Sequence, residues 1–442
     1  MAAHRGRETM SPEITRLSEL AKGDRKRRFT SIAHLLREEL LYEAYQALNK
    51  EASAGVDGVT YRDYEGNARS NIRALHERLK TGRYRAQPLR RIRIPKEGGK
   101  ERPISIPCLE DKIAQRGTVM LLNAIYEQTF LGCSYGFRPG RGPHDALDQV
   151  DRLVFRHRVR YILEADIQSY FDSIVRRQLM GMIEERIRDR SILRLIGKWI
   201  NVGVIDRGQL LVTQTGTGQG QPISPLLANI YLHYVLDEWF EQVVKPRMRG
   251  EAYLVRYVDD FILLFQFRDD AERVRDVLPK RFGRYGLTLH PEKTRLIEFG
   301  RFALDHAIRR GERKPATFDF LGFTHVCGRS RNGRFAPQVR TLRKRLCRSL
   351  SEVRAWCRAH RHDPVWAQAH VLNQKLRGHY QYYGRSTNSP GLWKFYRGVE
   401  RIWRYWLNRR TRGNTLPWKR YAPLRTRHPL LRPRITHPWP AG

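Results

Sequence analysis

The stretch Tyr253 to Phe265, YLVRYVDDFILLF, sets two apolar runs on either side of adjacent aspartates, Asp259 and Asp260. Short runs rich in Val, Ile, Leu, Tyr and Phe read as strands. The segment is therefore expected to fold as strand, tight turn, strand, with the carboxylates at the turn. Two neighbouring carboxylates on an apolar hairpin repel each other and lie beside a core, which is costly. A divalent cation removes that cost, although a solvated Asp-Asp turn would explain the pair equally well if it stood alone.

A second stretch upstream changes the balance. Tyr161 to Ile174, YILEADIQSYFDSI, is another apolar strand carrying Asp166 at its end. Aspartates that end neighbouring strands can meet in one sheet, and Asp166 with Asp259 could hold two Mg²⁺ ions about 3.5–4 Å apart. Magnesium takes few carboxylates and completes its shell with water and substrate phosphate oxygens. That is the equipment for in-line phosphoryl transfer.

The YVDD motif and its upstream D-x-x-x-Y-F resemble the palm of reverse transcriptases. Between them, GTGQGQPISPLLANIYL (Gly216 to Leu232) resembles the corresponding block of reverse transcriptases encoded by group II introns. AGVDGVT (Ala54–Thr60), RIRIPKEGGKERPISIP (Arg91–Pro107), YGFRPGRGPHDAL (Tyr135–Leu147), GLTLHPEKT (Gly286–Thr294) and FDFLGFTH (Phe318–His325) follow the same family's order, and the likeness runs from about Ala54 to Arg410.

The resemblance implies an α+β fold: a polymerase right hand of fingers and palm, with an α-helical thumb or maturase domain. It implies an RNA-directed DNA polymerase of a group II intron that also binds the intron RNA and assists its splicing and its mobility by target-primed reverse transcription. Asp166, Asp259 and Asp260 would be catalytic, with the Ile167 carbonyl joining them around two Mg²⁺ ions, for which Mn²⁺ can substitute. Lys96 and Arg102, flanking the Gly98-Gly99 turn, would hold the triphosphate of the incoming nucleotide; charge-assisted bonds to phosphate suit both. Phe171 would pack under the sugar and reject a 2′-hydroxyl. Gln219 would touch the incoming nucleotide from a loop whose glycines 216, 218 and 220 clear one surface. Lys293 would contact the triphosphate or the primer, and Arg138 and Arg141 the template backbone. The usual family spelling has Pro at 218 and Gly at 221, where this chain has Gly218 and Gln221. Ser224 is expected to cap the next helix, with Pro225 at its first position.

Composition points the same way. The 442 residues hold 83 Lys and Arg against 45 Asp and Glu, a formal net charge of +38. Such an excess suits a polyanionic partner, nucleic acid ahead of a membrane surface. No run of 18 or more apolar residues and no signal peptide is evident, so a cytoplasmic location without membrane contact is expected. The five cysteines form no CxxC pair and read as small thiols in a reducing compartment. From Arg329 onward there are 27 Lys and Arg against 3 Asp and Glu, together with seven of the nine tryptophans.

That basic quarter has helical spacing. Val339, Leu342, Leu346, Leu350, Val353 and Cys357 make an apolar stripe over Gln338–Arg361, and Arg340, Arg343, Lys344, Arg345, Arg348, Arg354 and Arg358 occupy the other face. Cations without anions among them repel, so a phosphate backbone is the economical partner. Leu372–Ser386, which carries Lys375 and Arg377, and Leu392–Arg410 resemble the maturase region that contacts primer–template duplex and intron RNA. Tyr380, Tyr383 and Trp403 are expected in its core.

The expected divisions are an N-terminal extension with fingers (1–158), a palm (159–328), a helical thumb or maturase domain (329–410) and a short basic tail (411–442) suited to DNA binding. Helices are expected over Ile32–Leu48, Asn71–Lys80, Asp111–Phe130 and Ala271–Tyr285, and residues 1–30 are expected to be frayed or docked on RNA. No HNH-type or RNase H-type block is evident after Arg329. The expected partners are group II intron RNA, an RNA template with a DNA primer, target DNA and dNTPs. Two alternatives remain open: a stand-alone group II-derived reverse transcriptase in host defence or a CRISPR-associated system, and a non-catalytic RNA-binding splicing factor.

Overall fold

A computed structural model describes residues 11–95, 101–212, 215–330, 332–410 and 416–439. Its strands, numbered along the chain, are β1 (Leu89–Pro95), β2 (Glu101–Ile106), β3 (Tyr161–Asp166), β4 (Val204–Asp206), β5 (Gln209–Leu211), β6 (Ala252–Tyr257), β7 (Asp260–Phe265), β8 (Arg295–Glu298), β9 (Phe318–Phe320), β10 (Phe323–Arg329) and β11 (Phe335–Thr341). They form three sheets in the orders β2-β1-β4-β5, β6-β7-β3-β8 and β11-β10-β9. Mixed helix and sheet is the α+β architecture anticipated for a reverse transcriptase.

The central sheet, β6-β7-β3-β8, is antiparallel throughout. Successive strand residues face opposite ways, and here both faces are covered. Leu163, Ala165, Phe261, Leu263 and Phe265 enter one core with the helices Leu109–Tyr126, Arg176–Glu184, Ser224–Leu232 and Arg268–Gly283. Ile162, Ile262, Leu264 and Ile297 enter a second core with the helix Pro143–Arg156 and with Phe318, Phe320 and Phe323 of the β9–β11 sheet. This double burial explains why the strands read as unbroken apolar runs instead of alternating ones.

The thumb has its own core. Helices Arg343–Ala359, Val365–Tyr383 and Ser389–Asn408 bury Val353, Cys357, Leu372, Leu376, Phe395 and Trp403 together. Tyr380 and Trp403 lie inside as expected, and Tyr383 is partly buried between this core and the second palm core. Arg385, at the end of the thumb's middle helix, is bound to Asp148 (2.7 Å) and Asp151 (2.6 Å) of the helix Pro143–Arg156.

Several expectations need correction. Residues 12–23 form a helix, Pro12–Gly23, capped by Ser11 and burying Ile14, Leu17 and Ala21; three small contacts spread over a polar segment gave little apolar signal. The helix expected over Ile32–Leu48 is broken into a short 3₁₀ turn, Ala33–Leu35, and a helix Glu38–Gln46. Asp189 accepts the amides of Ile32 (2.7 Å) and Ala33 (2.8 Å) and so caps the short turn, and the chain leaves helical geometry at Leu36 and Arg37. Gln338–Thr341 belong to β11, so the thumb helix starts at Arg343 and Arg340 lies on a strand. Ser224 is the first helical residue, not the cap; its hydroxyl donates to the Gly218 carbonyl (2.9 Å).

The last segment is also more ordered than expected of a tail. It carries a helix, Trp418–Arg427, and buries Tyr421 and Leu430 against the thumb. Tyr380 donates its hydroxyl to the Leu431 carbonyl (2.9 Å), and His437 stacks on His144 of the palm-side helix with ring centroids 3.5 Å apart. Among the described residues no helix is long and apolar enough to cross a membrane.

Candidate active site

The register of the central sheet sets Asp166 directly opposite Asp260 across β3 and β7. Directly paired residues share a face, so both carboxylates stand at the rim of the second palm core. Tyr257 pairs with Asp260, which leaves Val258 and Asp259 as a two-residue turn. Val258 has φ +62°. The first position of such a turn ordinarily goes to glycine, asparagine or aspartate, and a β-branched residue there stores roughly 1–3 kcal/mol of strain. Gly136 packs beneath it: a Cβ on that residue would come within 2.7 Å of the Val258 nitrogen.

The GLTLHPEKT loop is fastened to the end of β3. The His290 amide donates to the Asp166 carbonyl (2.8 Å) and the Gln168 amide to the Thr288 carbonyl (2.8 Å), which leaves the Ile167 carbonyl outside this pairing. The loop delivers Lys293, whose ammonium lies 2.6 Å from Asp166 Oδ2. Asp260 Oδ2 accepts the Leu321 amide at 3.3 Å, from the turn between β9 and β10.

The carboxylates perturb one another. Burial pushes the Asp259 carboxyl up, the charge on Asp166 adds to this, and Arg102 and Arg256 act against it. Burial also raises Asp260, up to about 7; the Leu321 amide opposes the rise, and Asp259 and Asp166 reinforce it. A site that resists ionisation of closely spaced carboxylates is one that a divalent cation relieves. Among the described residues no group of three or more histidine, cysteine, aspartate or glutamate side chains is arranged to hold a metal ion by itself. A carboxylate pair suits a hard cation that takes its remaining ligands from water and phosphate, and the family uses divalent metal ions.

Phe171 lies on a single helical turn, Tyr170–Ser173, immediately after β3, and is 9 % exposed. The glycine-rich loop rests on its backbone. The Thr217 amide donates to the Phe171 carbonyl (2.8 Å), and a Cβ on Gly216 would lie 2.9 Å from the Asp172 Cα. A Cβ on Gly220, at φ +111°, would lie 2.7 Å from the Ser105 carbonyl of β2. These glycines thus let the loop touch its own chain, bridging the palm to the β1–β2 hairpin. Arg102 Nε donates to Gln219 Oε1 at 3.0 Å, and the Ser105 amide to the Gln219 carbonyl at 2.6 Å. Arg102 and Gln219 therefore meet on one side of the Phe171 turn. Lys96 and the Gly98-Gly99 turn lie outside the described residues.

The two departures from the usual family spelling touch each other. Gln221 is buried and receives a bond from Gln115 (2.8 Å), while a Cβ on Gly218 would meet Gln221 Nε2 at 2.8 Å. A side chain at 218 would thus press on the end of Gln221.

Arg138 is corrected outright. It is 6 % exposed and spends its guanidinium on Glu127 (2.9–3.2 Å) and on the carbonyls of Leu131 and Ser134, so it cannot face a template. Arg141 is half-buried over Tyr135 and donates to the Gly132 and Ser134 carbonyls. Of the basic thumb residues, Arg340, Arg343, Lys344, Arg348 and Arg377 are exposed, Arg348 being paired with Glu352. Lys375 is half-buried, with its ammonium 5.9 Å from the Trp356 ring centroid.

One residue escaped the sequence reading: Arg256, three positions before Asp259, is wholly buried. Its signal is a lone arginine inside the apolar strand YLVRYVDD.

Comparison with known proteins agrees with this geometry. The family described as reverse transcriptase (RNA-dependent DNA polymerase) matches residues 94–325, more than half of the chain. Protein YkfC of Escherichia coli (strain K12) is 34 % identical over 291 residues, covering 58 % of this chain and 76 % of that protein. Group II intron-encoded protein LtrA of Lactococcus lactis subsp. cremoris is 36 % identical over 315 residues, 68 % of this chain and 52 % of that protein. An uncharacterized 91 kDa protein in the cob intron of Schizosaccharomyces pombe is 35 % identical over 211 residues, 47 % of this chain and 26 % of that protein. The chain thus spans about half the length of the Lactococcus relative. With its paired aspartate strands and this breadth of match, the chain belongs to the reverse transcriptase family of RNA-directed DNA polymerases.

Proposed function

We propose that this enzyme extends a primer with deoxynucleotides on an RNA template of the group II intron type, and that it binds the intron RNA and assists its splicing. The observation that carries the reading is the facing pair Asp166 and Asp260 with Asp259 in the adjoining turn. Asp166, Asp259 and Asp260 would hold two Mg²⁺ ions, which when bound activate the primer 3′-oxygen and neutralise the departing pyrophosphate. Arg102, bonded to Gln219, would bind phosphate oxygens of the incoming nucleotide. The Phe171 ring would reject a ribose 2′-hydroxyl. Lys293, against Asp166, would add a positive charge beside that carboxylate. The exposed arginines of the thumb helix supply phosphate contacts of no sequence preference. Support for the intron partner is the likeness to an intron-encoded protein over 68 % of the chain.

The Asp259→Asn variant tests both halves. It removes one negative charge at nearly constant size, so the hairpin should still form. Primer extension should fall by orders of magnitude, while splicing of the flanking intron at low Mg²⁺ should match the parent. Retained DNA synthesis would defeat the catalytic assignment. A parent protein that splices no flanking RNA would leave a stand-alone reverse transcriptase.

A further inference from the structure

We propose that Arg256, paired with Asp237, is a positioning residue that holds the Val258–Asp259 turn, and through it the Asp259 carboxylate, in working order; this rests on the reading of Asp259 as catalytic. Arg256 lies on β6 opposite Phe261, on the face that enters the larger core, and its side chain is 0 % exposed. A guanidinium has five N–H donors, and all five are used. Nε donates to Asp237 Oδ1 (2.7 Å). One terminal nitrogen donates to Asp237 Oδ2 (2.6 Å) and Ser134 Oγ (2.8 Å). The other donates to Asn229 Oδ1 (3.0 Å) and to the carbonyl of Val258 (3.0 Å).

The last of these bonds decides the argument. An ion pair that merely tied strand to helix could stop at Asp237, and a well-packed hydrophobic pair would do as well. Here the fork reaches past its partner to the one residue of the turn with positive φ. A second arm supports the same residue from below: Asn229 Nδ2 donates to the carbonyl of Gly136 (2.6 Å), on which Val258 packs. Asp237 and Asn229 come from one continuous helical stretch, Ser224–Leu232 running into the wide-turned segment His233–Asp237. Strained conformers persist where the surroundings over-determine them. Without the Arg256 bond the Val258 peptide is free to return to negative φ, which would swing Asp259 away from Asp166.

The test is the paired exchange Arg256→Met with Asp237→Leu, which removes both buried charges at similar volume. Thermal unfolding, primer–template affinity, saturated turnover, the divalent-ion concentration for half-maximal rate, and hydrogen exchange of the peptide 253–265 are measured against the parent. The expected protein is folded and binds primer–template normally. Its turnover is ten- to a hundredfold lower, it needs several-fold more divalent ion, and its turn amides exchange faster. Adding Val258→Gly, which reaches positive φ freely, should recover at least threefold of the lost turnover. Parental turnover and ion requirement, or a loss that Val258→Gly leaves untouched, overturns the proposal. If the paired exchange does not fold, Arg256→Lys, which keeps a charge against Asp237 but lacks the fork, is judged by the same criteria. Asp259→Asn is run beside them: an active Asp259→Asn sinks the catalytic reading itself, whereas an inactive one beside a parental paired exchange sinks only the role of Arg256.

Discussion

Tyr382 of the thumb is joined to Asp260 of the palm through one intervening residue, Leu321. The Tyr382 hydroxyl donates to the Leu321 carbonyl at 2.9 Å, and the Leu321 amide donates to the Asp260 carboxylate at 3.3 Å. Leu321 itself sits at φ +49°. The thumb is thereby linked to the Asp260 carboxylate, and a shift of its middle helix reaches Asp260 through Leu321. Tyr382→Phe removes one hydrogen bond, worth about 1 kcal/mol. Primer extension should slow about three- to tenfold with the melting temperature nearly unchanged. Parental speed and processivity would show the link to be idle.

Phe171→Ala should admit ribonucleotides, since the barrier is steric. The residue also belongs to the larger core, so stability should drop by about 3 kcal/mol. Extension with dNTP and with NTP separates the two effects. Unchanged discrimination in a folded variant would place the sugar gate elsewhere.

Arg138→Ala should damage the fold and not RNA recognition. Removing one partner of a buried ion pair leaves Glu127 uncompensated, a loss of about 3 kcal/mol. Urea denaturation measures it. RNA affinity per folded molecule should equal the parent, and a selective loss of affinity at parental stability would contradict the burial seen here.

Two buried histidines should each cost stability on mild acidification, in opposition to buried carboxyls such as Asp260, which gain it. Burial lowers His325 to about 3, with Arg385 adding to the effect, and burial lowers His379 to about 4. Both are neutral in the folded state but take up protons when unfolded, below an ordinary value near 6.5. Their contribution is therefore complete above about pH 6.5 and is lost as pH falls toward those folded values. At pH 5 each loses about 2 kcal/mol. His379→Phe, in a site stacked on Phe395, should gain about 2 kcal/mol relative to the parent between pH 8 and pH 5, read from denaturant midpoints of both. A constant difference between variant and parent over that range would refute the linkage.

Salt should weaken RNA binding steeply. Exchanging Arg343, Lys344 and Arg354 for glutamine removes three exposed cations from one thumb helix. The slope of log affinity against log salt should shrink by up to about 3. An unaltered slope would mean that this face does not meet phosphate.

The central hairpin was legible in the sequence because strand and turn chemistry there are local: two apolar runs can only be strands, and a charged dipeptide between them can only be the turn. The sequence reading brought Asp166 to Asp259, whereas the sheet register sets Asp166 opposite Asp260; that choice is made by pairing between strands far apart in the chain. What escaped depended on contacts distant in sequence. Arg138 read as a phosphate ligand, whereas its loop is folded back on Glu127, which caps the end of the preceding helix Leu109–Tyr126. The short turn after Ile32 is capped by Asp189, 157 residues away, a contact that no local pattern announces. The glycines at 216 and 220 were rightly read as points of close approach, but their neighbours are Asp172 and Ser105 of the same chain. The helix starting at Pro12 buries too few side chains to announce itself against so basic a background.

The alternation of β3 and β7 between two cores has a consequence for how this chain tolerates changes of length. A single residue inserted into Ala252–Tyr257 would exchange every later side chain of the strand between the two cores, and Arg256 and Asp237 would no longer meet. A two-residue insertion would preserve the faces but carry the turn about 7 Å along the strand, past Asp166. The opposite ends of the same strands are held as well: the Arg160 amide donates to the Phe265 carbonyl (2.8 Å) and the Gln266 amide to the Glu251 carbonyl (2.9 Å), and Val159 is buried in the second core. Length variation is thus excluded along the whole hairpin, and a comparison of insertions and deletions along β6 and β7 would trace the site without reference to any single side chain.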